Sequence, residues 1–162
     1  MQYNDVVQEL IGADALKKYA ISDTGTREVL AELQGLTRED LFPGGYEDVD
    51  MAECCLAGLW LLHNFLHEGH EICQDIDTPA GSFWHAIMHR AEGDYSNAKY
   101  WYRMARTEPL HDAISEAAGE PYDANALVDR VASDGAASVH RLVTAEWEAL
   151  FNHCYRQAAG TS

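Results

Sequence analysis

Apolar residues recur along most of the chain at intervals of three and four, the spacing of a helix face, and no stretch alternates with period two. The pattern predicts a first helix over 4–19, with Val6, Val7, Leu10, Ile11 and Leu16 on its apolar side and Asn4 as cap. A shorter helix is expected over 26–33, and FPGG at 42–45 signals a turn. Residues 48–64 are apolar nearly all round (Met51, Leu56, Leu59, Trp60, Leu61, Leu62), which predicts a buried helix. Another follows over 67–76, closed by Thr78-Pro79. Helices over 82–90 and 95–106 flank the turn Glu92-Gly93-Asp94, and Pro109 opens one that runs to about 118. Asp123 caps a further helix ending near 133–135. The last, 137–157, carries Val139, Leu142, Val143, Trp147, Leu150, Phe151 and Cys154 on helical spacing. The expectation is an all-α, single-domain helical bundle over 1–162, or a short stack of helical hairpins with units at 48–77 and 82–107.

A chain of 162 residues buries roughly 68–70% of its unfolded surface, so folding calls for neither a disulfide nor a metal. The four cysteines, Cys54, Cys55, Cys73 and Cys154, contain no C-x-x-C pair and read as core thiols. No apolar run is long enough to span a bilayer. The start, MQYNDVVQELIG, lacks a basic patch before an apolar run, so no secretory leader is expected and a cytoplasmic location is.

Charge changes the picture. The formal net charge of −16 repels phosphate backbones and anionic lipid, which excludes nucleic acid and membrane surfaces as general partners. The distribution is uneven. From Glu39 through His89 there is no Lys or Arg, against ten acidic residues, whereas 83–106 carries Arg90, Lys99, Arg103 and Arg106 against Glu92 and Asp94. That segment, FWHAIMHRAEGDYSNAKYWYRMAR, is a basic island in an acidic chain.

The island resembles a tetratricopeptide hairpin. Gly93-Asp94-Tyr95 matches its turn, Ala98, Tyr102 and Ala105 match its second helix, and Ala86 supplies the small residue of its first. Ser82, His85 and His89, however, stand where that pattern has large Trp, Leu and Tyr side chains. The run from Trp84 to Arg103 also resembles W-H-x-I-M-H-R-x-E-x-D-Y-x-N-x-K-Y-W-[FY]-R, a segment of a family of uncharacterised bacterial and fungal proteins. HEICQ, with His70 and Gln74, and a TP-x-GS loop at 78–82 precede it. This likeness implies that His70, Gln74, His85, His89, Arg90, Asn97, Lys99 and Trp101 form one unit. It implies no reaction.

His85 and His89 are four apart and share a helix face, with Glu92 a turn further on. Buried imidazoles need partners, and core histidines bonded to carboxylates or carbonyls would satisfy that without any chemistry. Two functional readings go further. The first is a small-anion site. Arg90, Lys99 and Arg103 would fork a phosphorylated or carboxylated ligand, His70, His85, His89, Gln74 and Asn97 would add polar contacts, and Trp84 or Trp101 would exclude water. The second is a zinc or iron site held by His70, His85 and His89, which could activate water for hydrolysis. Adjacent Arg90 weighs against a divalent cation there. HEGHE lacks the H-E-x-x-H spacing of zinc proteases, which excludes that mechanism. No other cofactor is called for. An interaction scaffold without chemistry is the remaining class, and the exposed aromatic residues expected on such a surface are compatible with a homodimer.

Overall fold

The computed structural model describes residues 3–21 and 24–161. It is helical, with no strand among the described residues. The elements are α1 (Asp5–Leu10), α2 (Ala13–Lys18), α3 (Leu30–Gly35, entered through a 3-10 turn, Arg27–Val29) and α4 (Arg38–Leu41). The main bundle comprises α5 (Val49–Leu62), α6 (Leu66–Cys73), α7 (Pro79–Ala91), α8 (Tyr95–Ala105), α9 (Glu108–Ala118), α10 (Ala124–Asp134) and α11 (His140–Ala158), the last entered through a 3-10 turn, Ala136–Val139. No described helix is long and apolar enough to cross a membrane.

Helix α5 is the centre. Asp48 caps it by accepting from the Met51 amide at 3.0 Å, and Met51 through Leu62 is buried at every position but Glu53. It packs against α6, α7 and α11. One of these seams runs through Gly58. Its carbonyl accepts from the Trp147 indole at 2.8 Å, and a Cβ at Gly58 would lie 2.8 Å from the Trp84 ring and 3.1 Å from Phe151. Trp84 and Trp147 are both fully buried and their rings meet edge-on at 6.2 Å. Gly58→Ala is therefore expected to destabilise the fold by about 1–3 kcal/mol through overpacking. That exceeds the roughly 0.5–1 kcal/mol that alanine gains over glycine within a helix. Urea unfolding of the variant checks it, and an unchanged or higher midpoint would mean that the seam is loose.

Several boundaries differ from the periodicity. The expected helix over 4–19 breaks at Ile11-Gly12, where Gly12 leaves helical backbone (φ −39°, ψ 149°) and caps α2. Helix α4 was not expected: Thr37 and Asp40 close a capping box around a single turn. Thr78-Pro79 begins a helix instead of ending one. The Thr78 side chain accepts from the Gly81 amide at 3.1 Å and Pro79 occupies the first helical position, so the supposed 78–82 loop is the first turn of α7.

Helices α7 and α8 form an antiparallel hairpin with Ala86, Ala98 and Ala105 buried. The turn is closed by the Asp94 amide donating to His89 O at 2.9 Å. Asp94 then caps α8, accepting from the Asn97 amide at 3.3 Å. Helix α7 is thus enclosed by α5, α6, α8 and α11, and each of its faces meets a different neighbour.

Candidate functional site

Successive helical residues point about 100° apart, so residues four apart share a face and adjacent ones do not. On α7 this divides the expected site in two. His85 and His89 face α6, and Arg90 turns toward α11.

On the first face, His85 stacks between two rings, Trp101 at 4.2 Å and His89 at 4.6 Å. His70 meets both edge-on, with centroids 4.7 Å from His85 and 4.9 Å from His89. The close approach of α6 depends on Gly69, whose added Cβ would strike the Met88 methyl at 2.6 Å and stand 3.2 Å from Ala57 O. His70 Nδ1 lies 2.9 Å from Glu92 Oε1, and His70 Nε2 lies 2.8 Å from His85 Nε2. If His70 is neutral and donates Nδ1–H to Glu92, its Nε2 is bare and accepts Nε2–H from His85. His89 Nδ1 lies 3.5 Å from Glu92 Oε2, yet that geometry makes no hydrogen bond, and Nδ1 is a buried nitrogen without a partner. One nitrogen from each of the three histidines falls within 4.8 Å of the others.

Electrostatics disfavour the charged forms of His85 and His89. Burial, together with the neighbouring His89 and His70, pushes His85 down to about 4, against the weaker opposing pull of Glu92. Burial and His70 likewise lower His89. The sign for stability follows from linkage. The unfolded chain protonates His85 near its ordinary 6.5, and the folded chain only near 4, so between those values the unfolded state binds more protons. The stabilisation from neutral His85 is complete above about 6.5 and is lost as pH falls through 4. In metal-free protein, the stability difference between the native chain and His85→Phe should therefore shift against the native chain across that window. Urea midpoints at several pH values measure it, and a pH-independent difference would mean that water already solvates the imidazolium.

Compared with protein-family models, with curated proteins and with solved structures, the chain matches none.

The other expected site residues lie elsewhere. Arg90 is buried, 4% exposed. It donates to the Tyr102 hydroxyl and the Glu146 carboxylate, and Glu146 also accepts from Tyr102 at 2.8 Å and Tyr122 at 2.6 Å. Burial opposes Arg90's charge most strongly, but Glu146 together with the Tyr102 and Tyr19 hydroxyls outweighs it and holds the guanidinium above its ordinary range. Trp84 is core, not a wall of any site, and its indole nitrogen has no partner. Lys99 reaches Asp129 on α10 at 2.6 Å. Arg103 lies over the Tyr100 ring, Asn97 donates to Asp94 at 2.8 Å, and Gln74 is exposed at the end of α6. Of the ten expected residues, His70, His85, His89 and Trp101 come together.

Glu92, Glu146, Tyr102 and Tyr122 were not among the expected site residues. Glu92 had a signal, its i+3 spacing from His89. Glu146 had one too: it stands three residues after Val143 and four before Leu150, a carboxylate on an apolar stripe.

Proposed function

We propose that the protein binds a divalent zinc-class ion through His70, His85 and His89, with Glu92 orienting His70. The observation that carries this reading is the three-histidine convergence within 4.8 Å. Two nitrogens bound to one tetrahedral zinc at about 2.0–2.1 Å stand roughly 3.3–3.4 Å apart. The His70–His85 nitrogen pair, at 2.8 Å, needs to open by about half an ångström to admit the ion, which would take the place of the shared proton. Imidazole ligates in its neutral form, the form that burial favours at His85 and His89. The Glu92–His70 bond supplies the carboxylate that commonly fixes the tautomer of a ligating histidine. The objection from Arg90 falls away because Glu146 neutralises its charge on another face of α7.

Three nitrogen ligands leave a coordination position for water or substrate. Bound water would be acidified toward neutral pH, so hydrolysis is the reaction class to assay after binding. The small-anion reading loses support at this face, since Lys99 is engaged with Asp129 and Arg90 with Glu146.

The test is metal content. Untagged protein purified without chelator should carry about one ion per chain, and metal-free protein should acquire the visible spectrum of tetrahedral or five-coordinate Co2+. Absence of both would leave the histidines as a hydrogen-bonded core cluster and the protein as a scaffold.

A further inference from the structure

A second feature stands apart from the histidines. A cavity of about 440 Å³ lies between the α5–α6 junction, α7 and the α10–α11 connection. Its walls include Leu61, Leu66, Ile87, Val131 and Val143. Its rim carries exposed Ile21, Ala91 and Ala137. This is the size and apolar character of a small-molecule site.

Four polar side chains line it, Tyr19, Asn64, Arg90 and Tyr95, and all offer donors. Arg90 is 4% exposed and Tyr19 is 2% exposed. Tyr19 lies beside Arg90, whose charge acts on its hydroxyl, and because a guanidinium only donates, Arg90 does not consume the phenolic proton. The Asn64 amide nitrogen is buried with no partner at all. An unsatisfied buried donor costs about 1–3 kcal/mol, and an acceptor oxygen in the cavity would remove that penalty once the Asn64 side chain turns toward it.

Charge selects the kind of oxygen. Arg90 is already balanced by Glu146, so a carboxylate or phosphate would bring an uncompensated negative charge into a buried site of a chain at −16. A carbonyl oxygen accepts the same donors without that cost. We propose that this cavity binds a small uncharged molecule with an apolar body and a carbonyl head, the oxygen facing Asn64, Tyr19 and Arg90. The site is independent of the metal reading, since it opens on a different face of α7.

The experiment compares probes that share one aromatic body: acetophenone, benzoate and benzylammonium. Binding is followed by amide and side-chain NMR shifts in chelator-treated full-length protein. Acetophenone should saturate, with shifts centred on Tyr19, Asn64, Ile87 and Arg90, and benzoate should bind at least about tenfold more weakly. Tyr19→Phe should weaken acetophenone by about tenfold. Asn64→Asp, which keeps a residue tolerant of the left-handed backbone at that position (φ 63°), should weaken acetophenone and raise benzylammonium binding. The proposal is overturned if acetophenone does not saturate, if benzoate binds as tightly or tighter, or if Tyr19→Phe leaves acetophenone unchanged.

Discussion

Replacing Glu146 with alanine is expected to destabilise the fold by about 3–5 kcal/mol, the loss typical of breaking a buried ion pair from one side. The carboxylate is fully buried and holds three partners: Arg90, Tyr102 and Tyr122. Its removal leaves a guanidinium that stays charged in the core and two hydroxyls without their acceptor. Glu146→Gln should lose less, because an amide oxygen still accepts from the tyrosines while the charge balance fails. A double-mutant cycle with Arg90→Met separates the effects: removing both charges should cost clearly less than the two single losses added. Urea unfolding reads all of these, and a Glu146→Ala loss under about 1 kcal/mol would mean that water reaches the pair.

The second large effect is on metal. Zinc at a hundred times its dissociation constant should add about 2.7 kcal/mol to the stability of the native chain. His85→Ala or His89→Ala should abolish that gain, since two remaining nitrogens make a poor site. Glu92→Gln should keep the site but weaken it by about 10–100-fold, the usual effect of removing the carboxylate behind a ligating histidine. Lys99→Ala and Arg103→Ala should leave zinc stabilisation unchanged, because Lys99 is engaged with Asp129 on α10 and Arg103 with the Tyr100 ring. Thermal melts with and without zinc measure each case. Equal zinc gains in the native chain and in His85→Ala would place the ion elsewhere.

Much of the division between these two regions was implicit in helical geometry. His85, His89 and Glu92 share a face by spacing alone, and Arg90 cannot point the same way as His89 because it follows it directly. The likeness to a longer shared segment joined Arg90 to the histidines, although residues shared by one segment can serve opposite sides of a helix. Trp84 was misplaced for a related reason. One residue before His85, it points away from the imidazoles and into the seam beneath Gly58.

Boundaries were less legible where one signal has two meanings. Thr78-Pro79 ends α6's neighbourhood and caps α7, and only the side-chain bond to Gly81 distinguishes the roles. The one-turn α4 has too few residues to express a period, so its capping box was the sole clue.

What the sequence determined by itself was the helical class, the buried character of α5, the hairpin turn at 92–94 and the shared face of His85 and His89. These follow from local spacing, and local spacing is preserved whatever the helices pack against. Tertiary structure alone decided the distances at which His70, expected beside the pair, meets it, and what the other nearby histidines do: His63 bonds Leu10 O at 3.0 Å, and His67 is exposed beside Glu71. It also decided that Arg90 meets a carboxylate 56 positions away. Such pairings depend on how α6 and α11 are laid against α7, and no periodicity within one segment encodes the register of another.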